Sequence, residues 1–242
     1  MRAITGLILI LLAAGCTPEA RQPIAMLHIA AAEIARDRAD TMADNLDAAH
    51  RFANSVDNLD LRDAVNSLAE AWQRPDSDGG VQVLIEPVRN TEVALNLNAP
   101  GRTVKLGPTV ERDGVRYILR IDTPRYLSEI QGPGELALHL YAAALMRDWY
   151  EANRLKGLDG PALVDAAIAE TDGLLSAYYP AWETVLDKGY RPLRAAGQLP
   201  AIPRLDSLGD SRSACARTAD RSSCWRGAVR GYLGIVLGPT GN

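Results

Sequence analysis

Aromatic residues are scarce in this chain, at 5% of positions, and Phe52 is its only phenylalanine. A core must therefore be packed from Leu, Ala, Val and Ile, and alanine-rich stripes allow helices to approach closely. Histidine is equally thin: His28, His50 and His139 are all there is. The first two stand about six turns apart on any helix they share, so a histidine-based triad would have to draw on His139. HExxH, G-x-S-x-G, the P-loop and the dinucleotide-binding glycine pattern are all missing, which removes the common signatures of zinc hydrolases, serine hydrolases and nucleotide binders. Dense Lys/Arg runs are also missing and the formal net charge is −4, so nucleic acid is not an expected partner. No apolar run reaches the roughly 18–20 residues needed to span a bilayer.

What is present begins at the N-terminus. The free amine and Arg2 precede an apolar run, Leu7 to Leu12, and then Ala13, Ala14 and Gly15 lead to Cys16. A charged start, a short apolar segment and small residues before a cut are the layout of a secretory signal. Leu12-Ala13-Ala14-Gly15-Cys16 resembles the lipobox of bacterial lipoproteins, with Ala13 at the position where leucine is most usual. The resemblance covers these residues alone and supplies an address, not an activity. It implies removal of residues 1–15 as a signal peptide and lipid attachment at Cys16. Several acyl chains, palmitate among them, each gaining ~0.8 kcal/mol per buried methylene, hold a protein durably at a membrane. Thr17 stands where an aspartate would favour inner-membrane retention. The resemblance thus implies the outer membrane, facing the periplasm, in a host with two membranes. Residues 16–22 read as a lipidated tether reaching ~20 Å at full stretch, which would keep the folded part close beneath the membrane.

With Cys16 acylated, Cys215 and Cys224 remain as an even pair in an oxidising compartment. Nine positions along an unbroken helix cover about 13.5 Å, beyond the ~7 Å limit for a disulfide. Either the chain turns near Thr218 to Ser222 or both thiols stay reduced; a helix–turn–helix stapled at its neck is the favoured expectation. A metal site there is not expected, because no histidine lies nearby.

Hydrophobic periodicity divides the rest. Ile24, Leu27, Ala31, Ile34, Met42, Leu46, Ala49, Ala53 and Val56 recur at steps of three and four, interrupted at Arg38, and Leu61, Ala64, Val65, Leu68 and Trp72 follow a break at Asp57-Asn58. These predict a long helical hairpin over 23–74, either packed on its own domain or with its 23–56 helix offering a coiled-coil face to another copy or an envelope partner. Residues 74–80 read as a plain loop whose aspartates fail the calcium-loop spacing. Alternation at 81–86, 93–97, 104–106 and 115–121, with turns at Asn98-Ala99-Pro100-Gly101 and Asp113-Gly114, predicts an antiparallel β-meander over 75–130. Arg102, Lys105, Arg116 and Arg120 would line its outer face, solvated or set against anionic headgroups or cell-wall carboxylates. Residues 131–242 read as helical, with a helix opened by Asp159-Gly160-Pro161, a separation at Pro180 and an irregular stretch from Arg191 to Asp210. The expected class is α+β, with a C-terminal helical bundle holding one disulfide, and 23–242 forming one compact unit.

Two features invite chemistry. Glu135 and His139, spaced i, i+4, share a helix face and suit either acid–base work or half a metal site, but a surface pair of this kind needs no function. Trp149, Tyr150, Tyr178, Tyr179, Trp182, Tyr190, Trp225 and Tyr232, with Asp148, Glu151 and Glu183 nearby, suit either a glycan cleft or a core lacking phenylalanine. Neither assigns catalytic, cofactor or metal residues. The leading expectation is a structural, accessory or partner-binding envelope lipoprotein; the alternative is an enzyme or binder acting on peptidoglycan or another envelope glycan through this aromatic, acidic half.

Overall fold

Apart from His139, the stretch Leu136–Met146 is apolar at every position, and a helix with no polar face must be covered all round. The computed structural model, which describes residues 18–86, 104–111, 114–122, 130–155 and 177–233, places it at the centre. Helices α1 (Pro18–Ser55) and α2 (Leu59–Trp72) come first, then strands β1 (Val81–Glu86), β2 (Val104–Glu111) and β3 (Gly114–Asp122), and then α3 (Gly132–Leu155), the central helix. Next comes a helix that passes from α-helical (α4, Tyr178–Thr184) through a π-helical stretch (Val185–Tyr190) to α5 (Arg191–Ala195). Helices α6 (Pro203–Cys215) and α7 (Arg221–Leu233) follow. A single buried cluster runs from Met42 to Val229.

Among the described residues the chain is mostly helical with one small mixed sheet, so the expected hairpin and antiparallel meander are corrected, while the helical character of the C-terminal part and its one disulfide stand. Met42, Leu46, Ala49, Ala53 and Val56 of α1, and Leu61, Val65 and Leu68 of α2, are buried. Both helices pack chiefly on α3 rather than closing into a self-contained hairpin. Their direct link is polar: His50 Nε2 and Asn66 Oδ1 lie 2.8 Å apart, and Asn54 Nδ2 donates to Asn66 Oδ1 at 3.1 Å. Because α3 serves the N-terminal helices as much as the later ones, the C-terminal half is not a separate bundle. α1 already begins at Pro18, inside the stretch read as a tether.

Nor is the sheet a meander. Its order is β1-β3-β2, with β1 parallel to β3 and β2 antiparallel to β3. Alternation marks a half-buried strand, but it carries no information about which strand is the neighbour or which way it runs. Here β3 takes the centre because Tyr117, Leu119 and Ile121 are all fully buried. Gly114 opens β3 opposite Glu111 rather than sitting in the turn. Lys105 and Arg120 are register partners, and Arg116 lies 3.8 Å from the exposed carboxylate of Asp76. The expected strand at 93–97, the turn at 98–101, the helix opened at 159–161 and Arg102 lie outside the described residues.

The stretch Arg191–Asp210, expected to be irregular, is largely helical. Pro203 stands at the first helical position of α6, where a missing N–H costs nothing. Pro180 lies in the first turn of α4, and the helix expected before it lies outside the described residues. Pro192 follows the π-helical stretch and cannot donate to the carbonyl four residues back, that of Lys188. Asn58 Nδ2 donates to that carbonyl instead, at 2.7 Å, while its Oδ1 accepts from Leu61 N at 3.0 Å as the cap of α2. Gly189 lets this stretch close on α3, since a Cβ there would lie 3.0 Å from Leu138 Cδ2. Asn58→Ala removes both a cap and the acceptor's partner. A loss of about 2 kcal/mol is expected, read as a lowered urea midpoint; an unchanged midpoint would show that water replaces the side chain freely.

Candidate binding cleft

Cys16 lies outside the described residues. Cys215 and Cys224 form a disulfide with Cα atoms 5.4 Å apart. Of the two alternatives left by their spacing, the chain takes the turn. Thr218 N and Oγ1 both donate to the Cys215 carbonyl, at 3.1 and 2.8 Å, and Asp220 Oδ1 accepts from Ser223 N at 3.0 Å to start α7.

Glu135 and His139 are both buried, not a surface pair. Glu135 Oε2 accepts from the Gln131 amide at 2.7 Å, so this carboxylate closes the N-terminus of its own helix. His139 Nε2 lies 3.3 Å from Tyr232 Oη, and its ring meets Trp182 edge-on at 5.0 Å and Tyr232 nearly parallel at 6.4 Å. Trp182 is 2% exposed, and its buried Nε1 has no acceptor.

The aromatic residues of the later half divide between distinct places. Tyr150 packs with Trp149 at 5.3 Å and with Tyr117 at 6.1 Å, beneath the sheet. Tyr117 Oη donates to Glu151 Oε1 at 2.5 Å, joining β3 to α3. Partial burial pushes the Asp148 carboxyl above its ordinary range, with Arg147 opposing and Glu151 adding. Tyr190 is buried, donating to Asp206 Oδ1 at 2.6 Å and accepting from Ile202 N at 2.9 Å. Burial raises its hydroxyl above the ordinary range, and the Asp206 bond adds to the shift. These rings mostly fill core space.

Tyr179 and Trp225 differ in that they also line an open cleft of about 390 Å³, together with Pro180, Glu183, Arg212, Arg221, Ser222 and Arg226. Tyr179, Pro180 and Glu183 come from α4, Arg212 from α6, and the remainder from the first turns of α7. Trp225 Nε1 donates to the Tyr179 carbonyl at 3.0 Å, which seats α7 against α4. Arg212 forms an ion pair with Glu183, and its guanidinium lies 5.4 Å from the Trp225 ring centre. Arg226 lies 5.5 Å from the ring centre of Tyr179. Burial raises the Tyr179 hydroxyl, and Arg226 opposes that shift.

The three arginines escaped the sequence reading, which looked for acids beside rings. A signal existed: Arg212 and Arg221 each stand three residues before a cysteine of the disulfide, so closing that bond sets the spacing of the helix ends that carry them. Among the described residues, no group of three or more His, Cys, Asp or Glu could hold a metal ion, and no helix is long and apolar enough to cross a membrane. No family model, no curated protein and no solved structure matches this chain.

Proposed function

We propose that this chain is a lipid-anchored protein of the bacterial envelope, facing the periplasm, whose folded body is an accessory or partner-binding module rather than an enzyme. The observation that carries the reading is the lipobox-like Leu12–Cys16 behind a short apolar run. The burial of Glu135 and His139 within structural contacts favours a non-catalytic body. The glycan-directed alternative rests on Tyr179, Trp225 and Glu183, and Glu183 is engaged by Arg212.

Helix α1 runs from Pro18, two residues after Cys16, to Ser55, and its Met42, Leu46, Ala49, Ala53 and Val56 are buried. At 1.5 Å per residue, a helical path of roughly 36 Å separates Pro18 from Met42. The apolar stripe of the 23–56 helix, with Ile24, Leu27, Ala31 and Ile34, is the proposed surface for a partner or a second copy.

Cys16→Ser should move the protein from the membrane to the soluble fraction and abolish incorporation of labelled palmitate. Unchanged fractionation, or no label on the wild type, would remove the anchor and the placement with it. Leu27→Asp with Ile34→Asp should abolish in-cell crosslinks to the partner. Leu46→Asp, which buries a charge, should instead destabilise the fold by more than about 3 kcal/mol. Crosslinks that survive the double substitution would rule out this face of the 23–56 helix as the binding surface.

A further inference from the structure

We draw no further inference here: the strongest candidate, the open groove of about 490 Å³ between α6 and α7 lined by Arg204, Ser207, Leu208, Ser211 and Tyr232 among others, carries nothing because nothing in the structure shows what covers it.

Discussion

Gly80→Ala is expected to destabilise the protein by about 3 kcal/mol or more. A Cβ at Gly80 would lie 2.2 Å from the Arg74 carbonyl oxygen and 2.8 Å from those of Pro75 and Ser77. These are backbone atoms, so no rotamer change relieves the overlap. They are fixed from several sides: Ser77 N donates to the Arg74 carbonyl at 3.1 Å, and Gly80 N donates to the Ser77 carbonyl at 2.9 Å. The Gly80 carbonyl then accepts from Tyr117 N at 2.9 Å, the bond that starts the pairing of β1 with β3. Arg147 Nε donates to the neighbouring Gly79 carbonyl at 3.0 Å, tying the loop to α3. Opening the loop to admit a methyl group therefore disturbs both the sheet and its seat on the central helix. Gly227→Ala is the opposite case, because nothing lies within 4 Å of a Cβ there. It should stabilise α7 by about 0.5–1 kcal/mol through helix propensity. Urea unfolding of the two variants should move the midpoint in opposite directions; a near-neutral Gly80→Ala would show that the loop is not the rigid element described.

Alkaline unfolding between about pH 10 and 12 is the second large effect expected. Burial, with the Asp60 carboxylate adding, pushes the Tyr141 hydroxyl from its ordinary 10.0 up to about 12. Burial alone pushes Tyr150 to about 12. Both groups lose their protons more readily in the unfolded chain than in the native state. Their contribution to stability is thus complete below pH 10 and is lost as pH rises through 12. Linkage sets the slope at about 1.4 kcal/mol per pH unit for each tyrosine, or roughly 5 kcal/mol for the pair by pH 12. That is comparable with the whole stability of a typical domain. Tyrosinate absorbance and far-UV dichroism should therefore change together. Tyr141→Phe and Tyr150→Phe should each flatten the decline. Full ionisation near pH 10 with the helices intact would contradict the burial of these two hydroxyls.

Much of the fold was legible at the level of single elements. The apolar steps of Met42, Leu46, Ala49, Ala53 and Val56 correspond to the buried face of α1, and the alternation of Tyr117, Leu119 and Ile121 corresponds to the buried face of β3. Both patterns arise because a helix or strand buries one side, a local property repeated in the sequence. The disulfide was legible for a similar reason, since only a turn brings residues nine apart within reach. The candidate cleft was not. Its arginines come from α6 and α7 and its rings and acid from α4 and α7, and no motif spans that separation.

The residue order alone determined the apolar faces of Met42–Val56 and of the strand at 115–121, the turn that lets Cys215 and Cys224 bond, and the lipobox-like start. These follow from local sterics and from the periodicity of side chains about a single axis. Tertiary structure decided that β1 runs parallel beside β3, that α3 is the shared core of both halves, that Glu135 and His139 are buried, and that three arginines share one cleft. Each of those depends on which surfaces meet. That choice is made by competition among all the apolar faces of the chain for the same buried space, and no local pattern records its outcome.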